Sequence, residues 1–397
     1  MSQPDVPMNN ESTKSATASA STDAGVGVRL FARTDVGQVR EHNEDNFLVA
    51  DLTRRARGLQ EGSRSAVIGK QGHLFAVCDG MGGAAAGEVA SQMAVDIIYE
   101  RMLDGLDSTT PLERDELARR LVRAVEVAGL RIFQEAKSDR TRRGMGTTVT
   151  AAALVDDHLF LAQVGDSRGY ILRGETLVQV TRDQSLVNQL IEAGQLTEEE
   201  AETFEHNNII LQALGTADTV QVDLTFCELR RGDILMLCSD GLSGMVRFDE
   251  IREVLRTMTE PLEACKALTE KANQAGGHDN ITVIVAQFDG EGLKAVSSND
   301  EPLKYRKYSL PEESGDPTMP MRRPDGGMEP SDALARRGDP DAAPNAVSAR
   351  SPEPPPPPAL DDDPIDIPGT HVPAAVVVML VIGVLVIVGG MTMLFLR

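Results

Sequence analysis

The chain is poor in residues that several common chemistries require. Its four cysteines, Cys78, Cys227, Cys238 and Cys265, show no CxxC spacing, so neither a zinc knuckle nor a redox dithiol is indicated. Cys78 and Cys238 lie inside apolar runs, where a thiol behaves as a small core hydrophobe, and the pattern fits a reducing compartment. The six histidines are all singletons, with no HxH or HExxH pair, so the nitrogen ligands of a zinc hydrolase are missing. Positive charge is scarce as well: 39 Lys and Arg against 61 Asp and Glu leave a formal net charge of −22. That balance argues against phosphate-backbone binding and so against nucleic acid as a partner. The first 25 residues carry neither a basic start nor an apolar stretch, which excludes a secretory signal there.

Composition divides the rest. Residues 1–25 read as a disordered Ser/Thr-rich tail, and 26–290, with alternating strand and helix patterns and 11 of the 14 Phe and Tyr side chains, as one globular domain. Of 21 prolines, 16 fall between Pro302 and Pro368, so 291–371 is expected to be a disordered, partly extended linker unable to bury enough apolar surface to order itself. The uncharged run 374–396 spans about 35 Å as a helix, against about 30 Å of bilayer hydrocarbon, and predicts a single transmembrane helix within 372–397. With no signal ahead of it, the globular domain is expected on the cytoplasmic side.

Hydrophobic periodicity predicts strands at 28–33, 46–51, 73–79, 146–155, 159–164, 169–172, 177–180, 222–228, 234–239 and 281–288. Helices are predicted at 86–102, 112–136, 185–193, 198–203, 250–258 and 262–274. The four strands between 146 and 180 are close enough in sequence to form an antiparallel meander. Grouped strands and grouped helices indicate an α+β layered fold, and no internal repeat is present.

Five acidic motifs carry the chemistry: Asn43-Glu44-Asp45, CDGMGG at 78–83, VGDSRGY at 164–170, CSDGL at 238–242 and GGHDNIT at 276–282. Asp79 alone is better explained as the cap of the turn before the helix near Ala86. Taken jointly, strands that repeatedly end or begin at Asp-Gly and Asp-Asn converge carboxylates on one point. Such a cluster suits hard cations, Mg²⁺ or Mn²⁺, with Gly80 free to offer its carbonyl. A pair of these ions about 3.5 to 4 Å apart promotes hydrolysis at phosphorus. His278, beside Asp279, fits either a tuning role or an exposed loop.

In order and spacing, Arg40-x-x-Asn43-Glu44-Asp45, Asp79-Gly80-Met81-Gly82-Gly83, Gly146-Thr147-Thr148, Gly165-Asp166-Ser167-Arg168, Ser239-Asp240-Gly241 and Gly277-x-Asp279-Asn280-Ile281-Thr282 resemble the metal-dependent protein phosphatases of type 2C. The likeness is greatest to bacterial members, through Asp183-Gln184-Ser185-Leu186-Val187-Asn188-Gln189-Leu190. It implies a four-layer α-β-β-α fold, a sandwich of two antiparallel sheets flanked by helix pairs, with the site at one edge between the sheets. It further implies that Asp79 bridges two metals, Glu44 and the Gly80 carbonyl completing one and Asp240 and Asp279 the other. Asp166 with Asp240 would take a weaker third ion, Asp45 would order a metal-bound water, Arg40 would grip the substrate phosphate and Asn280 would support the site. Thr147 and Thr148 read as packing and hydrogen-bonding residues.

The implied reaction is hydrolysis of phosphoserine and phosphothreonine without a phosphoenzyme, at the inner face of the cytoplasmic membrane. Partners would be Ser/Thr-phosphorylated proteins, receptor-type kinases among them. Two departures stand out. Met81 replaces the histidine of animal members, and Gln184 the histidine usual in the bacterial flap segment, which bears on substrate preference. A non-catalytic phosphoprotein-binding scaffold of the same fold is the alternative; retention of Glu44, Asp79, Asp240 and Asp279 disfavours it, as acidity disfavours a two-metal nuclease.

Overall fold

A computed structural model describes residues 25–311, apart from 60–64, 84–85, 108, 202–203, 207 and 298–299. Nearly all of the 1–25 tail, most of the 291–371 linker and the 372–397 membrane segment lie outside the described residues. Among the described residues no helix is long and apolar enough to cross a membrane.

The chain opens with strands β1 (Gly27–Asp35), β2 (Asn46–Asp51), β3 (Ala56–Arg57), β4 (Ser65–Val67), β5 (His73–Cys78) and β6 (Gly80–Met81). Helices α1 (Ala86–Leu103) and α2 (Arg114–Ser138) follow, then β7 (Gly146–Thr147), β8 (Val149–Val155), β9 (His158–Val164), β10 (Arg168–Arg173) and β11 (Thr176–Gln179). After the short helices α3 (Leu186–Glu192) and α4 (Glu198–Ala201) come β12 (Asp223–Glu228), β13 (Ile234–Cys238), α5 (Asp240–Ser243), α6 (Phe248–Thr257), α7 (Pro261–Gln274) and β14 (Ile281–Asp289).

One six-stranded sheet runs β11-β10-β13-β14-β1-β4 and the other β12-β9-β8-β5-β2-β3, all pairs antiparallel; β6 and β7 form a small ribbon. Alternate residues explain the layering. Val28, Leu30, Val49, Phe75, Val77, Leu161, Leu237 and Phe288 fill the space between the sheets. Leu48, Leu74, Ala76 and Phe160 turn outward beneath Ala94, Ile98, Leu117 and Leu121 of α1 and α2. On the opposite outer face Leu172, Met236, Val283 and Val285 meet Ile251, Leu255 and Leu268 of α6 and α7. Strands covered on both faces lose polar alternation, which is why β5 reads HLFAVC and is buried throughout. The α-β-β-α order is therefore observed, and all four cysteines are free and buried.

Two expectations are corrected. The 146–180 meander does not form: β8–β9 and β10–β11 are hairpins, but β9 and β10 belong to different sheets. The chain crosses between layers at Gly165, whose φ is 102° and where a Cβ would stand 2.7 Å from the Thr148 side chain. A crossing of a few residues has the same sequence spacing as a hairpin, so apolar pattern cannot separate them. The domain also does not end at 290. Leu293 is 1% exposed, and 306–308 pair with the free edge of β12 through Phe226 N–H to Arg306 O at 3.0 Å and Tyr308 N–H to Leu224 O at 2.8 Å. An unpaired edge exposes a row of amide groups, and this segment satisfies them.

Candidate active site

Strand polarity assembles the site. Asp79 follows the last residue of β5, Asp166 the end of β9 and Ser239-Asp240 the end of β13, while Glu44-Asp45 precede β2 and Asp279-Asn280 precede β14. All lie at one end of the sandwich.

Backbone fixing is extensive. Asp79 donates its N–H to Thr148 Oγ1 at 3.1 Å, and its carbonyl accepts from Thr148 N at 2.8 Å and Thr147 Oγ1 at 2.8 Å. Thr148 Oγ1 in turn lies 2.8 Å from Ser167 Oγ, tying the Asp79 turn to the Asp166 turn. Thr147 and Thr148 thus fill the hydrogen-bonding role expected of them. Asn280 Oδ1 accepts from Glu44 N at 2.8 Å, and Asn280 Nδ2 donates to the carbonyls of Val36 and His42, bracing the loop that carries Arg40 and Glu44. Gly80 has no room for a side chain: a Cβ would stand 2.3 Å from Gly87 O and 2.5 Å from Glu44 O.

Among the side chains, Arg40 Nη2 lies 2.7 Å from Asp279 Oδ2. Ser239 Oγ donates to Asp45 Oδ2 at 2.7 Å. Burial, then the Asp45 and Asp240 charges, holds Asp79 far above the ordinary carboxylate range, and Asp79 is hydrogen-bonded to Asp240. Burial likewise raises Asp240. Asp45 is pushed up to about 7 by burial, only partly offset by hydrogen bonds from Thr282 and Ser239. Asp166 is pushed up to about 7 by burial and then by the Asp240 charge, and Glu44 is raised mainly by burial. His278 is exposed in its loop.

Like charges gathered in a desolvated pocket either protonate, pair with a cation or stay costly. Arg40 serves Asp279, and a shared hydrogen bond serves Asp79 and Asp240. Among the described residues no three His, Cys, Asp or Glu side chains are closed to metal-binding spacing. Three buried oxygens of the site are left with no hydrogen-bond partner: Asp45 Oδ1, Asp166 Oδ1 and Asp240 Oδ1. An all-oxygen donor set with orphaned carboxylate oxygens fits a hard divalent cation. Residues that motif reading gave no role are Ser239, Ser91 and Gly87. Ser91 Oγ donates to Glu44 O at 2.5 Å, and Gly87 leaves space for the Glu44 carboxylate. Only the serine preceding Asp240 and the glycine opening α1 hinted at them.

The family model for Protein phosphatase 2C matches residues 59–274. Serine/threonine phosphatase stp of Listeria monocytogenes is 37% identical over 257 residues, covering 65% of this chain and 94% of that protein. Protein phosphatase PhpP of Streptococcus pneumoniae is 39% identical over 258 residues, with 65% and 96% covered. In three dimensions the chain is similar to the Mycobacterium tuberculosis serine/threonine phosphatase PstP/Ppp, at a TM-score of 0.55 and 36% identity, covering 66% of this chain and 99% of that one. The PstP catalytic domain in complex with two manganese ions gives a TM-score of 0.54 at 36% identity, with 66% and 99% covered. The chain belongs to the protein phosphatase 2C family, in its bacterial branch. Its enzyme class is phosphoprotein phosphatase.

Proposed function

We propose that this phosphatase is metal-dependent and releases orthophosphate from phosphoserine and phosphothreonine by direct attack of water. The observation that carries this reading is the convergence of Glu44, Asp45, Asp79, Asp166, Asp240 and Asp279 at one sheet edge, three of them with buried oxygens lacking a partner. Asp79, Glu44 and the Gly80 carbonyl would hold one cation, Asp79, Asp240 and Asp279 a second, and Asp166 with Asp240 a weaker third. Bound there, Mg²⁺ or Mn²⁺ supplies charge neutralisation and a water nucleophilic at neutral pH.

The chain's own groups do the rest. Asp45, held by Ser239 and Thr282, orients the attacking water. The Arg40 guanidinium, half exposed at the rim, receives the phosphoryl oxygens through its planar fork. Attack forms one P–O bond and breaks the ester P–O bond, and a solvent water supplies the proton that turns the leaving oxygen into the Ser or Thr hydroxyl, the attacking water giving up its own proton to solvent. Met81 offers no proton to that leaving oxygen.

Phosphate release from a phosphothreonine peptide, measured with Mn²⁺, with EDTA and in Asp240→Asn, tests the reading. Release should require metal and be lost in the variant; binding of the peptide without release under any cation would favour the scaffold instead. We also infer from the uncharged run 374–396 a single-pass tether in the cytoplasmic membrane, which would raise the effective concentration of membrane-proximal phosphoproteins, receptor-type kinases included. Unchanged membrane fractionation after deletion of 372–397 would refute the tether.

A further inference from the structure

The stretch after β14 crosses the sandwich edge and is held at both ends of its pairing with β12. Tyr308 sets its ring 5.0 Å from Phe160 and 5.6 Å from Phe226, and donates its hydroxyl to Asp115 of α2. Tyr305 donates its hydroxyl to Asp223 Oδ2 at 2.6 Å, and Lys307 Nζ lies 3.3 Å from Asp223 Oδ1. Asp223 is buried at the start of β12, two residues beyond Gln221.

Gln221 belongs to a closed amide network. Its N–H donates to Gln212 Oε1 at 2.7 Å and its carbonyl accepts from Gln212 Nε2 at 2.8 Å. Gln212 Nε2 also donates to Gln184 Oε1 at 3.0 Å, and that oxygen accepts from Gly165 N at 2.9 Å. Gln184 N–H returns a bond to Gly165 O at 2.8 Å. Gly165 is the residue before Asp166. A cavity of about 350 Å³ opens beside this network, and Arg182, Gln184, Asn188, Gln212 and Lys307 are among its walls.

We propose that residues 305–308 are a positioning strap for the phosphatase site: an added edge strand that fixes Asp223 and, through Gln221, Gln212 and Gln184, the turn carrying Asp166. Lys307 thereby also lines a groove that residues flanking a phosphoamino acid reach and a small phosphate ester does not. Gln184 is the hub because its side chain both accepts from Gly165 and meets Gln212. The proposal rests on the phosphatase reading only for the meaning of Asp166.

The test uses the full chain and the variants Tyr305→Phe, Lys307→Ala and Tyr308→Ala, with amide hydrogen exchange and with phosphate release from a phosphothreonine peptide and from p-nitrophenyl phosphate. Tyr308→Ala should speed exchange at Phe226 and at the backbone amide of the substituted residue itself. All three variants should speed it at Gly165, Gln184 and Gln221 by roughly 3- to 10-fold, the effect of losing one ordinary hydrogen bond. Loosening the turn should lower kcat for both substrates by a similar factor, and Lys307→Ala should in addition raise KM for the peptide alone. Faster exchange in the strap with none at Gly165, Gln184 or Gln221, or faster exchange there with kcat unchanged for both substrates, would overturn the proposal. Should the parent protein release no phosphate at all, the phosphatase reading fails and the exchange data still decide whether the strap holds the turn.

Discussion

The Ser239 hydroxyl donates to Asp45 Oδ2 at 2.7 Å across 194 residues of sequence, and the hydroxyl oxygen itself accepts from Thr282 N at 3.0 Å. One small side chain thus joins the start of β2, the end of β13 and β14, and supplies a donor to a buried carboxylate. Ser239→Ala removes one of the two donors to Asp45, leaving Thr282, and leaves the Thr282 amide without its Oγ acceptor, at a cost of about 1–3 kcal/mol. Because the lost bond favours ionised Asp45, whose carboxyl burial already pushes up, the acidic limb of the pH–rate profile should move upward. An unmoved limb in a folded variant would contradict the role given to Asp45.

Burial raises the carboxyls of Asp45 and Asp166 to about 7, while the unfolded chain ionises near pH 4. Between those values the folded state binds more protons, so the cluster's contribution to stability is full below about pH 4 and is lost as pH rises through about 7. A divalent cation held by these carboxylates would replace the protons, bind better as they leave and stabilise by mass action. The gain in Tm from Mn²⁺ over EDTA should therefore be larger at pH 8 than at pH 5. Equal gains at both pH values would count against cation binding by these carboxylates.

Motif reading reached the candidate site because the chemistry is written into the strand ends: an Asp-Gly after β5 and another shortly after β13 need no tertiary knowledge to stand out. The layers were legible for the same reason, since doubly covered strands show unbroken apolar runs. What escaped depends on relations sequence spacing does not encode. The step from β9 to β10 looks like a hairpin until the register assigns the two strands to different sheets. The strap of 305–308 sits inside a composition rich in proline and charge, and its docking rests on Tyr308 meeting Phe160 and Phe226 rather than on any periodicity. Ser239 and Ser91 are visible as residues, but not as partners of carboxylate loops far away in the chain.

Gly80 and Gly83 separate steric need from composition within one motif. A Cβ at Gly80 would meet the Gly87 carbonyl at 2.3 Å and the Glu44 carbonyl at 2.5 Å, whereas one at Gly83 meets nothing within 4 Å. Both obstacles are backbone atoms, one on α1 and one in the Glu44 loop, so relief requires moving them. Gly80→Ala should lose about 1–3 kcal/mol of stability and most activity, and Gly83→Ala should behave like the parent. Thermal melts and phosphate release on the pair check this, and parent-like Gly80→Ala would show that the loop is not packed as described.

Arg40 makes the sharpest separation of stability from function. Its side chain is 52% exposed, and its 2.7 Å pairing with Asp279 is a rim contact, of a kind worth about 0–1 kcal/mol once solvent screening is counted. A cation held by Asp279 would free the guanidinium to face an incoming phosphoryl group, where a bidentate charge-assisted contact would be worth more. Arg40→Ala should therefore melt within a degree or two of the parent, by the size of that rim contact, yet lose roughly 10- to 100-fold in kcat/KM toward a phosphothreonine peptide, mostly through KM. Arg40→Lys should recover only part of the loss, because an ammonium keeps the charge without the fork. A variant with parent kinetics would assign Arg40 to the rim salt bridge alone and leave phosphate recognition to other groups.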